Sequence, residues 1–599
     1  MTTRATRSPR RRTVVALAVI LVIIGAFVVR LVDIQVVNAA SHVEESMDTG
    51  QLGDSRPIAG TRGPILDANG TVLAQSTLVY DAALDPLTIR VLEEDEENPP
   101  KTPWNEASDK IGAVLGMTGD QVRALVDDAL AENDESRWTQ LKKGLNTEQF
   151  LALRELRLPY LSMPARDVRT YPNGAVAGNI LGFMGDADEE RPDGVPLEGM
   201  ELMQDQCLRP TAGVESFLTG ADGVVIPGSH KEKPAVNGGS LTLTINSELQ
   251  WYLQQMIAEE TARQGALNGS VLVVEVKTGK IRAAAEYPTV DPNDVSASDE
   301  GDRGARIFRR TFEPGSTFKV VTAAAVMEGA GANAGTRVTA SSREEFPNGA
   351  VVNDAFPHPT YDYTLAGALI DSSNVALSKF GDMVSPQVRY DYLKKFGVGE
   401  KTAIDFQGEE PGMLHPVEDW DNQSHYTTTF GQFYTVTAPQ VASAYQAIAN
   451  GGVKIPLSLV ESCTTADGEV AKIDAGKPER IIAESTASEL SRMIENVAVQ
   501  GGLAEDIVVP GYRIAAKTGT AEVPDGNGGY KPGIYFTSMV GYAPADDPEY
   551  VVIVTLDEPT RVTSSAATAS AFQKAMTQVL KTYRVLPSSV PMDELLPKY

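Results

Sequence analysis

Glu313-Pro314-Gly315-Ser316-Thr317-Phe318-Lys319 leads without a break into the alanine-rich stretch Val320-Val321-Thr322-Ala323-Ala324-Ala325-Val326-Met327. The Pro-Gly pair predicts a turn and the stretch after it a helix, so Ser316 stands at a helix start. Lys319 then lies one turn on, over Ser316. A serine hydroxyl is a weak nucleophile at neutral pH, and acyl transfer through it needs a base and donors for the developing oxyanion. The i, i+3 spacing supplies that base if burial or a second cation keeps the Lys319 amine partly neutral. By itself Ser-x-x-Lys is a weak signal, because a helix cap followed by a solvated lysine has the same pattern.

Outward from this stretch, strand and helix patterns define its setting. Val271-Leu272-Val273-Val274-Glu275-Val276, the turn Lys277-Thr278-Gly279-Lys280 and Ile281-Arg282-Ala283-Ala284-Ala285 predict a hairpin. Residues 512–523, 534–543 and 549–557 predict three further strands, with Asp525-Gly526-Asn527-Gly528-Gly529 turning the first pair. Strands at both ends of a segment with helices between predict one antiparallel sheet packed by helices. Two more motifs lie inside it. Asp371-Ser372-Ser373-Asn374 follows a predicted helix over 364–370, and Lys517-Thr518-Gly519-Thr520 closes an Ile-Ala-Ala strand. A second Lys-Thr-Gly, at Lys277-Thr278-Gly279, precedes Ser316 and sits between two strand patterns, so it reads as a turn.

In this order the motifs resemble those of the penicillin-binding and serine β-lactamase superfamily: SxxK at Ser316 and Lys319, SxN at Ser372 and Asn374, KTG at Lys517 to Gly519. The resemblance implies that Ser316 attacks a D-alanyl-D-alanine amide, Lys319 takes its proton, and Ser372 relays a proton to the leaving amine. Asn374 would orient Lys319 and hold a substrate amide, while Lys517 and Thr518 bind the terminal carboxylate. Gly519 lets the strand edge approach substrate because it has no Cβ. Backbone N–H groups of Ser316 and Thr520 would form the oxyanion hole, and the charge of Lys517 would depress the Lys319 pKa. β-Lactams are expected to bind covalently at the same serine. No cofactor or metal is implied, and the five histidines show no HExxH spacing.

Further stretches narrow the branch. Arg62-Gly63-Pro64-Ile65-Leu66-Asp67, Arg169-Thr170-Tyr171-Pro172, Gly182-Phe183-Met184-Gly185 and Glu198-Gly199-Met200-Glu201 are similar to class B penicillin-binding proteins. So are Asp291-Pro292-Asn293 and Ala449-Asn450-Gly451-Gly452. The amino-terminal anchor followed by Arg30-Leu31 and Gln35 most resembles the division-specific septal branch, the penicillin-binding protein 3 type. Ala68 departs from the arginine usual after that aspartate. The resemblance implies a septal peptidoglycan D,D-transpeptidase whose polymerase partner is a separate membrane protein, alongside other division proteins. Side-wall elongation, a D,D-carboxypeptidase or β-lactamase-like hydrolase, and a division-complex scaffold stand as alternatives. A hydrolase would need a water-activating glutamate, for which Glu418 is a poor candidate.

Composition bounds the rest. The 599 residues exceed one ordinary core, so several domains are expected. Lys+Arg 52 against Asp+Glu 80 gives 52 − 80 = −28, a field that disfavours nucleic acid. Cys207 and Cys463 are too few for a disulfide-dense scaffold and too far apart for a local metal knuckle. Five arginines precede the uncharged apolar run 13–29. This predicts a cytoplasmic tail over 1–12 and a single uncleaved transmembrane anchor over 13–32, with the remainder outside the cell membrane. A stalk (33–53), an irregular α+β pedestal or dimerisation domain (54–235), a penicillin-binding transpeptidase domain (236–584) and a tail (585–599) complete an α/β (α+β) multidomain chain. Within the pedestal, Asn69-Gly70 predicts a hairpin, 93–100 a solvated loop, and 105–117, 119–131 and 147–156 helices.

Overall fold

The computed structural model describes residues 9–33, 37, 53–58, 60–95, 99–186, 191, 194–218, 229–526 and 528–599. Most of the tail expected over 1–12 and of the stalk expected over 33–53 lies outside the described residues. The chain forms two compact units, Met1–Thr61 with Pro210–Gly238, and Arg62–Arg209 with Gly239–Tyr599. The first unit holds helix α1 (Pro9–Val32). Its Thr13–Val32 portion is long and apolar enough to cross a membrane, and none of it is buried in the protein. At ~1.5 Å per residue such a helix matches a hydrocarbon core of ~30 Å. The same unit contains a three-stranded antiparallel sheet of Gly53–Ile58, Gly213–Leu218 and Lys231–Lys233.

In the second unit, the predicted hairpin about Asn69-Gly70 forms between Ile65–Leu66 and Val72–Leu84, with Gly70 at φ 85°. Asp67 ties it down by accepting from the backbone of Asn69 and Thr71 and from both the N–H and the hydroxyl of Ser247. The helices predicted over 105–117, 119–131 and 147–156 are Trp104–Leu115, Gly119–Glu132 and Thr147–Glu155, and the last two begin with capping boxes. A helix at Pro86–Glu94, capped by Asp85, runs into the stretch read as a solvated loop. The resembling stretches converge: buried Arg62 bonds Glu201 at 2.8 Å and Asp205 at 2.7 Å, and Arg169 bonds Glu201 at 2.7 Å.

Residues 268–557 of this unit contribute a five-stranded antiparallel sheet. Its strands are β1 (Asn268–Glu275), β2 (Ile281–Tyr287), β3 (Ala515–Pro524), β4 (Tyr530–Ala543) and β5 (Tyr550–Asp557), in the order β2-β1-β5-β4-β3. Side chains on a strand alternate between faces. Accordingly Leu272 and Val274 join one core cluster while Val271 and Val273 join another. Val551 and Ile553 likewise oppose Val552 and Val554. Both faces are covered, which is why these strands are hydrophobic throughout rather than alternating. Helices Ser247–Gln264 and Ala566–Thr582 pack on the second cluster, and the helix carrying Lys319 packs on the first. The cysteines are joined: Cys207 and Cys463 form a disulfide that closes 256 residues of chain.

Candidate active site

Gly315, at φ 54°, opens a single 3-10 turn, Gly315–Phe318, and helix α2 (Lys319–Ala330) follows it directly. The turn is locked from three sides. Gly315 N–H donates to the Gly431 carbonyl at 2.8 Å, Tyr445 Oη donates to the Thr317 carbonyl at 2.8 Å, and Thr317 Oγ1 donates to the Pro314 carbonyl at 2.7 Å. Ser316 is half-buried at the centre of this turn, and the Lys319 N–H donates to its carbonyl oxygen. Lys319 itself is fully buried.

Helix α3 (Leu365–Ile370) ends in the 371–374 turn, and helix α4 (Asn374–Gly381) follows. Ser372 takes φ 55°, a left-handed conformation that β-carbon sterics disfavour. The turn thereby aims the Ser372 hydroxyl between two lysines. Lys319 Nζ donates to the Ser372 carbonyl and, at 3.2 Å, to Ser372 Oγ. Lys517 Nζ reaches the same Oγ at 3.0 Å. The two lone pairs of one hydroxyl oxygen can accept one N–H from each amine. Lys517 lies on β3, the edge strand of the sheet, followed by Thr518 and Gly519. A Cβ on Gly519 would crowd Ser538 Oγ, Thr317 Cγ2 and the Pro314 carbonyl, so glycine is what lets β3 lie against the Ser316 turn. Lys277-Thr278-Gly279 is a turn between β1 and β2, with Gly279 at φ 69°.

Burial and the nearby Lys517 ammonium push the Lys319 amine well below the ordinary lysine range, against the pull of the Asp354 carboxylate. Burial pushes Lys517 down to about 7. The sequence motifs therefore meet around the Ser372 hydroxyl, with one buried amine whose pKa is pushed well down, a second pushed down to about 7, and a sheet edge beside them.

The family model for the penicillin-binding protein transpeptidase domain matches residues 269–577, and that for the penicillin-binding protein dimerisation domain matches 57–243. The chain belongs to the penicillin-binding protein family. It is 31% identical over 575 residues to penicillin-binding protein PbpB of Mycolicibacterium smegmatis, covering 93% of this chain and 87% of that one. It is 28% identical over 540 residues to the peptidoglycan D,D-transpeptidase FtsI of Escherichia coli, covering 89% and 85%. Among solved structures, penicillin-binding protein 3 of Mycobacterium tuberculosis in complex with ampicillin has a TM-score of 0.67 at 26% identity, covering 91% of this chain and all of that one.

Two carboxylates in this penicillin-binding protein's site escaped the motif reading. Asp354 accepts from the backbone of Asn374 (2.6 Å) and Val375 (3.0 Å), from Ser373 Oγ (2.7 Å) and from His358 (2.8 Å), so it anchors the start of α4. The side-chain amide of Asn374 donates to the Asn353 carbonyl at 2.9 Å, and Ser372 rather than Asn374 bonds Lys319. Glu313 is buried, accepts from the Phe433 N–H at 2.9 Å and from Tyr530 Oη, and is pushed up to about 7 by burial. Its place three residues before Ser316 was the only available signal, while Asp354 had none. Glu418 is exposed on the Val417–Asp419 turn.

Proposed function

We propose that this chain is a serine peptidoglycan D,D-transpeptidase of the septal type, which cross-links stem peptides through an acyl-enzyme on Ser316 and is acylated there by β-lactams. The observation that carries this reading is the Ser372 hydroxyl bonded by two buried lysine amines beside the Ser316 turn. Lys319, whose pKa burial and the Lys517 ammonium push well down, accepts the Ser316 proton as Oγ bonds to the carbonyl carbon of a D-alanyl-D-alanine amide. The oxyanion is received by backbone N–H groups of Ser316 and Thr520, where a lost donor costs ~2.7–4 kcal/mol of barrier. As the C–N bond breaks, the proton passes from Lys319 through Ser372 to the leaving D-alanine amine. A second stem peptide's amine then attacks the ester, returns a proton to Ser316 Oγ, and leaves the cross-link. Lys517 and Thr518 hold the terminal carboxylate, Asn374 a substrate amide, and the outer edge of β3 pairs with extended substrate.

The helix within Thr13–Val32 anchors the chain with its arginine-rich start in the cytoplasm. The Cys207–Cys463 disulfide supports an extracytoplasmic catalytic domain, because such bonds persist in oxidising compartments. Residues 54–235 serve as a pedestal for a separate glycan polymerase and division proteins, and residues 236–584 as the catalytic domain. Ser316→Ala is expected to abolish covalent labelling by a fluorescent penicillin, with mass spectrometry placing the wild-type adduct on Ser316. Labelling that survives Ser316→Ala refutes the assignment, and rapid release of bound penicillin favours a hydrolase.

A further inference from the structure

The segment after the last helix, expected to be a simple tail, is bound along its length to the catalytic domain. Asn496 donates to the Asp593 carbonyl at 3.0 Å and accepts from the Leu595 N–H at 2.9 Å, and Gln500 donates to the Leu595 carbonyl at 3.0 Å. The Pro597 carbonyl accepts from the Thr364 N–H at 3.1 Å, and Thr364 Oγ1 donates to the Leu596 carbonyl at 2.7 Å while capping α3. Gly367, in the first turn of α3, leaves room for the Pro597 carbonyl; any β-carbon there would occupy the same space. Helical backbone does not call for glycine at that position, so the seat explains it.

Lys598 carries the segment to the 371–374 turn. Lys598 pairs with Asp371, the residue immediately before Ser372, and lies 4.1 Å from the ring centre of Tyr361 and 5.3 Å from that of Tyr363. Tyr363 Oη donates to the same Asp371 carboxylate at 3.0 Å. On the other side of the turn, Tyr361 stacks on His358, which bonds Asp354, the carboxylate that holds Ser373, Asn374 and Val375. Ser372 sits between these two anchors in its left-handed conformation at φ 55°. Residues held there persist where the surroundings over-determine them.

We propose that residues 593–599 form a strap that holds the 371–374 turn in its reactive arrangement, with Lys598 acting through Asp371 as a positioning residue for Ser372. This inference rests on the transpeptidase reading of the site. Its effect is on the acylation rate, because a turn free to relax moves Ser372 Oγ off the line between Lys319 and Lys517 while the core remains packed.

The test uses full-length protein in detergent and the second-order rate of acylation by a fluorescent penicillin, with Tm measured in parallel. Lys598→Ala is expected to slow acylation about three- to tenfold, the scale of a partly exposed ion pair with cation–π contacts, with Tm nearly unchanged. Asp371→Asn should slow it similarly, the double variant should be no slower than the worse single, and Lys598→Arg should recover most of the rate. Wild-type acylation by Lys598→Ala, or losses that multiply in the double variant, would overturn the strap. Failure of the wild type to acylate at Ser316 would instead overturn the functional reading beneath it.

Discussion

Replacing Lys517 by methionine should make the protein more stable while removing the group proposed to hold the substrate carboxylate. The Lys517 amine titrates at about 7 in the fold and near 10.5 when free, a difference of 10.5 − 7 = 3.5. At ~1.4 kcal/mol per pH unit, keeping that charge in its buried site costs ~5 kcal/mol. The folded pKa lies below the unfolded one, so the unfolded chain binds more protons between pH 7 and 10.5. The penalty is therefore complete at pH 7 and below, shrinks as pH rises, and is gone above 10.5. Methionine fills similar volume without the charge but gives up the bond to Ser372 Oγ, worth ~1.5–3 kcal/mol when charge-assisted. The net expectation is ~2–3 kcal/mol of stabilisation near pH 6, a rise in Tm of a few degrees, and a reversed order near pH 10.5. Thermal unfolding of wild type and Lys517→Met in detergent at pH 6, 8 and 10 measures it directly. A methionine variant that melts earlier than wild type at pH 6, or a difference that does not change with pH, would refute the reasoning.

Gly519→Ala should slow penicillin acylation by ~10²-fold, because its β-carbon meets Thr317 Cγ2 at 2.9 Å and the Pro314 carbonyl at 3.0 Å and displaces the turn that carries Ser316; a near-normal rate would show that β3 does not set that turn. Cys207→Ser should lower Tm by several degrees, since opening a 256-residue loop releases up to ~5 kcal/mol of chain entropy to the unfolded state. Reductant should lower the wild-type Tm and leave that variant unmoved. Equal response of both proteins would mean that the bond is absent in solution.

Much of this architecture follows from local pattern. A strand covered on both faces must be apolar at every position, and Val271 to Val274 and Val551 to Val554 are. The helices Gly119–Glu132 and Thr147–Glu155 begin where Thr118 and Asn146 can cap them, which is chemistry within four residues. Ser316 and Lys319 are one turn apart, so their proximity is a property of any helix that contains them. The pairing of Cys207 with Cys463 was not legible, nor was the grip of Asp354 on the start of α4 or the seat that Gly367 provides for Pro597. Each joins residues whose separation along the chain carries no periodic signal.

Residue order alone determined which groups are on offer, because the hydroxyl of Ser316 and the amines of Lys319 and Lys517 are chemical identities carried wherever the chain goes. Only the tertiary structure decided how the amine pKa values shift and which hydroxyl the two amines share. The Lys319 pKa is pushed well down because packing removes water and brings a second ammonium near it, and Ser372 meets both amines because a left-handed turn is clamped from both sides. Desolvation and Coulomb energy depend on distances between segments remote in sequence, and those distances exist only once the core has formed.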